Sequence, residues 1–236
     1  MPSPLRVKRP EQTGASPVDE VPPLENGDRL TRHEFERRYN AMPYLKKAEL
    51  IEGVVYVASP LRFESHGKPH FQIITWLGVY GAATPGVDGG DNATIRLDLD
   101  NEPQPDALLR IESGQSRISD DDYVEGAPEL IVEVAATSAS YDLHDKLRVY
   151  RRNQVQEYLV WQIYDNRLNW FRLREGDYVT LEPDAAGVVR SEVFPGLWLA
   201  VTAMLDGDLA GVLATLQQGL NTPEHADFVQ CLSENQ

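Results

Sequence analysis

Two acidic residues lie in apolar surroundings where a carboxylate needs a partner. Glu133 interrupts the apolar run from Leu130 to Ala136, and Asp106 follows Pro105 at the start of the apolar stretch ALLRI. An ionised carboxylate that is buried alone in an apolar layer costs several kcal/mol, so it must be paired, protonated or bound to a cation. Glu133 therefore has two interpretations: it lies near an exposed strand end, or it lines a cleft as a ligand or catalytic acid.

The two carboxylates could share one divalent cation if their strands are neighbours in a sheet. Hard oxygen ligands suit Mg²⁺, which typically takes one or two protein carboxylates, keeps several waters and binds substrate phosphates. Glu49, at the start of the strand-like stretch AELI, could approach the same ion from a flanking element. Lys146 would then supply a fixed positive charge that orients a nucleophilic water or stabilises a phosphorane-like transition state. This set predicts phosphodiester hydrolysis, although each residue type is common in such positions.

Two histidines and an acidic run have simpler interpretations. His66 and His70 lie four residues apart, a spacing that would put both on one helix face and that metal sites also use. Because Gly67 and Pro69 make a regular helix doubtful there, we expect satisfied or solvent-facing histidines rather than ligands. The run SDDDYVEG lacks the glycine and the terminal glutamate spacing of a calcium loop, so we interpret it as a solvated acidic turn.

The composition is that of a globular protein with one main α/β domain. The chain has 236 residues, of which 42% are hydrophobic. The sequence has no window near the roughly 18 consecutive apolar residues of a membrane span, and its start, MPSPLRVKRPEQTG, lacks the apolar core of a secretory signal. A single cysteine, Cys231, excludes an intrachain disulfide and a cysteine-based zinc site. We therefore expect a cytoplasmic protein without a membrane partner.

The net charge of −15, from 22 Lys and Arg against 37 Asp and Glu, weighs against a broad phosphate-binding surface. A local cationic rim of Arg148, Arg151, Arg152 and the Lys46-Lys47 pair could still contact a nucleic acid, if these side chains converge. Solvated faces are the simpler interpretation of such clusters.

Local patterns predict three segments: a flexible arm at 1–27, a folded domain at 28–220 and a loose tail at 221–236. Within the domain, Thr31 and Glu34 have the spacing of a capping box that starts a short helix. AELIEGVVYVAS predicts a hairpin, ESHGKPHFQIITWLGVYGAA a helix, and the pair ATIRLDL and QPDALLRI a second hairpin.

The second half of the domain begins with a strand that is covered on both faces. ELIVEVAA has the continuous apolar character of such a strand, apart from its glutamate. YDLHDKLRVYRR follows as a helix, in which Asp142 could orient Lys146 at i, i+4 or cap the helix. A strand meander and a closing helix, AMLDGDLAGVLATLQQGL, complete the order. The predicted fold class is α/β (α+β), with a mixed sheet flanked by helices.

Five ordered segments carry a family resemblance: AELIEG, SPLRFESHG, QPDALL, PELIVEV and SYDLHDKLRVYRRNQVQEYLVW. Over roughly residues 30–201 they resemble the Uma-type putative restriction endonuclease family, a branch of the PD-(D/E)XK nuclease superfamily. The resemblance implies a restriction-endonuclease-like fold, frequent homodimers and a site for Mg²⁺ or Mn²⁺. It matches Asp106, Glu133 and Glu49 to the family's acidic residues and Lys146 to the lysine of its helical segment.

The sequence departs from the wider superfamily at one position. A standard ExK motif would place lysine two residues after Glu133, where this chain has Ala135. The resemblance implies that Lys146 replaces that lysine from the following helix, while AATSAS replaces the family's usual SPST and lacks its proline. We therefore expect a magnesium-dependent endonuclease that acts on DNA. The alternatives are a non-catalytic nuclease-fold protein that binds or regulates a partner, and a small-molecule phosphohydrolase.

Overall fold

The structure is a computed structural model that describes residues 21–136 and 138–234. The helices are α1 (Arg32–Asn40), α2 (Lys68–Ala83), α3 (Ala139–Tyr141), α4 (Leu147–Arg152), α5 (Val201–Leu205), α6 (Leu209–Leu220) and α7 (Pro223–Glu234). The strands are β1 (Ala48–Ile51), β2 (Val54–Val57), β3 (Val87–Asp91), β4 (Ile95–Arg96), β5 (Ala107–Ile111), β6 (Arg117–Ile118), β7 (Val124–Glu125), β8 (Leu130–Ala135), β9 (Glu157–Gln162), β10 (Arg167–Arg174), β11 (Asp177–Thr180), β12 (Val188–Arg190) and β13 (Trp198–Ala200). π-Helical turns occupy Phe63–Gly67, directly before α2, and Asp142–Lys146, between α3 and α4.

Within the described residues, the central sheet has six strands in the order β11-β10-β9-β8-β5-β3. β8 pairs antiparallel with β5 and parallel with β9, and the helical segment from α3 to α4 forms the crossover that a parallel pair requires. β9, β10 and β11 form the predicted meander. The predicted fold class, a mixed sheet flanked by helices, is confirmed.

Two apolar layers cover the faces of β8, as its continuous apolar run predicts. Val132 and Val134 pack in a cluster with Trp76 of α2 and residues of α6 and α7. Ile131 and Ala135 pack on the opposite side, in a cluster that contains Tyr150 of α4. Because side chains alternate along a strand, Glu133 points to the same side as Ile131 and Ala135, towards the helical crossover.

The β1–β2 hairpin is also confirmed, and its turn explains the Glu52-Gly53 signal. Both turn residues have positive φ values, 53° and 71°, which is the backbone geometry of the tight hairpin turns that favour glycine. Leu50 and Val55 of the hairpin pack against Phe35 of α1. Two backbone hydrogen bonds between Leu50 and Glu102 join β1 to the segment that precedes β5.

Both predicted flexible ends need correction. Leu24 is buried in the same cluster as Phe35, so residues 21–27 pack on the domain, while residues 1–20 lie outside the described residues. The predicted loose tail contains α7, because Leu232 is buried in the main core and Phe228, one turn earlier, packs against it. Pro223 occupies the first helical position, where proline is common, and the prediction of a loose tail did not use this helix-start signal.

Three local predictions are wrong in detail. β5 pairs with β3 and β8 instead of forming a hairpin with the ATIRLDL segment, whose β4 pairs with β7. The Thr31 side chain forms no capping hydrogen bond, and the Glu34 carboxylate, the other half of a capping box, binds Arg37 and Arg38 instead. The closing helix is divided into α5 and α6 at Gly207, whose φ of 75° interrupts helical geometry.

No helix within residues 21–136 and 138–234 combines the length and the apolar character that crossing a bilayer requires.

Candidate active site

A cavity of about 710 Å³ lies at the end of the central sheet where β5 begins and β8 ends. All four residues singled out from the sequence line it: Glu49, Asp106, Glu133 and Lys146. Each comes from a different element, namely β1, the residue before β5, β8 and the π-helical turn before α4. The structure therefore brings together residues that are up to 97 positions apart in the chain.

Strand register explains why Asp106 and Glu133 meet. β5 and β8 run antiparallel with Ala107 opposite Val132, so one further step along this register sets Asp106 opposite Glu133. Opposite residues of an antiparallel pair point to the same face of the sheet. Asp106 Oδ2 also accepts a hydrogen bond of 2.8 Å from the backbone N–H of Val134, which fixes its carboxylate beside β8. β5 and β8 are therefore neighbours, as the hypothesis of a shared cation requires.

Lys146 is the direct partner of Glu133. Its Nζ lies 2.8 Å from Glu133 Oε1 and 2.9 Å from Glu49 Oε1. Glu133 Oε1 also accepts a hydrogen bond of 3.0 Å from the Tyr150 hydroxyl. The same ammonium is 3.8 Å from Asp142 Oδ1, an i, i+4 ion pair. The carboxylate within the apolar strand is therefore paired, as its burial requires.

Burial and neighbouring charges together set the pKa values of Glu133 and Lys146. Burial is the main cause that raises the pKa of Glu133 to about 8, with Lys146 opposing it and the Asp142, Asp106 and Glu49 carboxylates adding to it. Burial acts to lower the pKa of Lys146, but the surrounding carboxylates outweigh it and raise this pKa well above its ordinary value. Lys146 therefore stays charged.

Asp106 has a cationic environment of its own. His66 Nε2 lies 3.4 Å and Lys47 Nζ 3.5 Å from Asp106 Oδ1. Burial acts to raise the pKa of Asp106, but these neighbours outweigh it and hold the pKa below its ordinary value. Asp106 is therefore ionised, whereas burial disfavours the charged form of the neighbouring Glu133. Burial dominates at Glu133, whereas at Asp106 His66, Lys47 and the backbone hydrogen bond from Val134 outweigh it.

His66 is a residue whose position the sequence did not predict. It is buried in the cavity wall, its Nδ1 lies 3.2 Å from the backbone oxygen of Val134, and its buried Nε2 faces Asp106 outside hydrogen-bond geometry. The Asp106 carboxylate is the main cause that raises the pKa of His66, against the opposing effect of burial. Gly67 and Pro69 suggested an irregular segment, but a π-helical turn and the first turn of α2 accommodate them. His70 Nε2, in contrast, contacts the backbone oxygen of Asp106 and a carboxylate oxygen of Asp91.

Within the described parts of the chain, no group of three or more His, Cys, Asp or Glu side chains is arranged to hold a metal ion. Glu49 Oε1 is engaged by Lys146 and by the backbone N–H of Gln104 at 2.8 Å. Glu133 Oε1 is engaged in the same way, by Lys146 and by Tyr150. Metal ligation by Glu49, Asp106 and Glu133 therefore stays a prediction.

The cationic rim predicted around the site does not converge in the part of the chain that the structure describes. Arg148, Arg151 and Arg152 line a different pocket of about 600 Å³. Each is neutralised by an acidic residue: Arg148 by Asp145, Arg151 by Asp177, and Arg152 by Glu52 and Asp98. Of the Lys46-Lys47 pair, Lys47 reaches the cavity.

Comparisons with known proteins identify a family and a similar fold. The model of a family described as "Uma2: Putative restriction endonuclease" matches residues 32–202. The fold is similar to a crystal structure from Anabaena variabilis described as a putative nuclease, with a TM-score of 0.55 and 14% sequence identity. That match covers 72% of this chain and 97% of the other, and at this identity it shows the fold alone. No curated protein matches the chain significantly.

Proposed function

The chain belongs to the Uma2 family of putative restriction endonucleases, and from that premise we propose that it is a metal-dependent endonuclease that hydrolyses DNA phosphodiester bonds. One observation carries the proposal. Asp106, Glu133 and Lys146 converge in a single cavity, although they come from a strand start, a strand interior and a helical turn. Paired carboxylates with a nearby ammonium are the groups that metal-assisted attack of water on a phosphodiester requires.

The donor chemistry of the site fits Mg²⁺ or Mn²⁺. Asp106 and Glu133 offer carboxylate oxygens, and Mg²⁺ typically takes only one or two protein carboxylates. Four carboxylates line the cavity, those of Glu49, Asp106, Glu133 and Asp142, together with the cations Lys47, Arg62 and Lys146. When bound, such an ion would polarise a phosphoryl oxygen and lower the pKa of a bound water.

The residues of the chain supply positioning and fixed charge. Glu49 and Glu133 hold Lys146 between them, and the Gln104 backbone N–H holds Glu49 in turn. The side chain of Lys146 is only 3% exposed, so its charge is already oriented before substrate enters. A preorganised charge stabilises developing negative charge without reorganisation during the reaction. We assign to Lys146 the role of orienting the attacking water or of stabilising the negative charge of the transition state.

We propose in addition that the enzyme acts in the cytoplasm, a reducing compartment that suits a chain with a single cysteine, Cys231. A homodimer would allow two such sites to cut both strands of a duplex. Light scattering on the purified full chain measures the oligomeric state, and a monomer at working concentrations would contradict this part of the proposal.

The test is a cleavage assay with purified full chain, Mg²⁺ or Mn²⁺, and supercoiled and single-stranded DNA. We expect cleavage that chelation abolishes and that Lys146→Ala and Glu133→Gln remove. Arg148→Ala is the matched control, because Arg148 lies two residues from Lys146 but lines the other pocket. Cleavage that persists in Lys146→Ala would show that the lysine role is assigned wrongly. Absence of cleavage with every metal and DNA form would contradict the proposed activity.

A non-catalytic nuclease-fold protein is the second candidate. The neutralised arginines of α4 and the net charge of −15 favour it, because they leave little cationic surface for duplex DNA. Metal binding without cleavage of any nucleic acid would support this alternative over the first proposal.

A further inference from the structure

We infer that the candidate active site takes a nucleic-acid strand with an unpaired base beside the scissile phosphate. In this arrangement Tyr164 and Leu61 pack against the base, and Arg62 and Lys47 bind phosphate. The inference rests on the proposed function and specifies its substrate as single-stranded or locally unpaired DNA.

The apolar half of this site consists of two exposed side chains in the cavity lining. Tyr164, which follows β9, is 63% exposed, and Leu61, which precedes the π-helical turn at Phe63–Gly67, is 65% exposed. They approach from two separate elements. An exposed aromatic ring beside a charged cavity is the stacking platform on which single-stranded nucleic acids bind, because every base has a flat face. The buried tryptophans Trp76, Trp161 and Trp170 belong to the core instead.

The cationic half consists of residues that retain accessible charge. Arg62 lines the cavity, is exposed, and forms no ion pair with any residue in 21–136 or 138–234. Lys47 contacts Asp106 at 3.5 Å and Asn92 Oδ1 at 3.2 Å, yet 21% of its side chain stays exposed. Lys146 is enclosed by carboxylates and is much less accessible. Arg62 and Lys47 are therefore the more accessible cations of the lining for binding the phosphates of a strand.

This combination favours an unpaired strand over a duplex. A duplex contact gains its affinity mainly by neutralising many phosphates with cations, and the α4 arginines that could extend the surface are paired with carboxylates. A strand that makes few phosphate contacts needs another source of affinity. Base stacking supplies about 1–3 kcal/mol per base in single-strand complexes. Tyr164 provides that contribution next to the carboxylates.

Fluorescence anisotropy with the full chain and Ca²⁺ tests the inference, using a labelled single-stranded oligonucleotide and its duplex. We expect tighter binding of the single strand and a loss of roughly 5- to 150-fold in Tyr164→Ala, the equivalent of one stacked base. Arg62→Ala should reduce the slope of log affinity against log salt by about 0.7, the value for one single-strand phosphate. Tyr44→Ala and Arg29→Ala are matched controls, since both residues are exposed and neither is among the described residues that line the cavity.

The outcomes separate this inference from the proposed function. Equal binding of the duplex, no binding of either DNA, or unchanged binding in Tyr164→Ala would overturn the inference, even if Mg²⁺ supported cleavage. Single-strand binding that depends on Tyr164, without cleavage under any metal condition, would support the inference and contradict the nuclease activity. Because Tyr164 and Arg62 are exposed, their variants should fold, and circular dichroism checks this directly.

Discussion

Lys146 Nζ lies 2.8 Å from Glu133 Oε1, although Glu133 belongs to a central strand and Lys146 to a helical turn after it. Both side chains are almost completely buried. The pair neutralises a carboxylate that β8 would otherwise carry into the core. The stability of the sheet therefore also depends on Lys146, to which we assign a role in phosphodiester hydrolysis.

Replacing Lys146 with Met should destabilise the protein by about 3–5 kcal/mol, because it leaves Glu133 and Glu49 buried without their cation. Urea denaturation at neutral pH measures the effect. The matched control is Arg148→Ala, which removes an exposed ion pair and should change stability by no more than about 0.5 kcal/mol. Adding Glu133→Gln to Lys146→Met should recover part of the loss. A Lys146→Met protein as stable as the control would contradict the role of this pair.

Metal binding should depend on Asp106 and Glu133 together. Isothermal titration of Mg²⁺ or Mn²⁺ should show binding to the wild-type chain that both Asp106→Asn and Glu133→Gln remove, since each supplies an oxygen donor. Asp145→Asn is the control, because it changes the same charge on a carboxylate that pairs with Arg148. Unchanged binding in both site variants would remove the chemical basis of the proposal. The effect of Glu49→Gln would decide whether a third carboxylate takes part.

Stability should fall as pH rises through the range in which Glu157 titrates. Burial is the main cause that raises the pKa of Glu157 from 4.5 to about 7, against hydrogen bonds from Ser191 and the backbone of Glu192 and Val193. The folded state therefore binds more protons than the unfolded state between these values. The stabilisation is fully present below pH 4.5 and is lost as pH rises through 7, on the order of 3 kcal/mol in total.

Urea denaturation across this pH range, compared with Glu157→Gln, isolates the contribution, because glutamine cannot ionise. The wild-type chain should lose stability relative to the variant with rising pH, whereas the exposed replacement Glu175→Gln should leave the profile unchanged. A constant difference between wild type and Glu157→Gln at every pH would show that Glu157 does not titrate in this range.

Two helical glycines should respond in opposite directions to alanine. A Cβ at Gly219 would meet the backbone oxygen of Gly196 and lie 2.8 Å from Trp198 Cγ, so Gly219→Ala should destabilise by about 1–3 kcal/mol. A Cβ at Gly78 meets nothing within 4 Å, so Gly78→Ala should stabilise α2 by roughly 0.5–1 kcal/mol. Thermal unfolding measures both. A stabilising Gly219→Ala would contradict the close approach of α6 to the β12–β13 hairpin.

The parts of the fold that follow from the sequence are those where local pattern and tertiary environment agree. β8 is apolar throughout because both faces are covered, and the meander from β9 to β11 has turn residues between its strands. Asp106, Glu133, Glu49 and Lys146 were found because their residue types and a family resemblance pointed to the same chemistry. Their convergence is a property of strand register, which only the pairing of β5 with β8 supplies.

Other parts could not be predicted because distant residues determine them. β3, with the sequence VDGGD, has no apolar alternation and becomes a strand only through its pairing with β5. His66 lies between helix-breaking signals, and its burial depends on Val134 and Asp106, far along the chain. α7 has only a short apolar stripe, and the core cluster that receives Leu232 is formed by other elements.

His66 and Lys146 each lie in one of the π-helical turns, and each turn is followed directly by a regular helix that packs on the core. Each residue of an α-helix rotates the chain by about 100°. The wider π-helical turn therefore lets the cavity residue point in a direction that the packing of the following helix does not dictate. Deleting a single residue within either turn would therefore turn the functional side chain away while the helix behind it kept its place. A length change in either turn therefore alters the cavity in a way that no substitution reproduces.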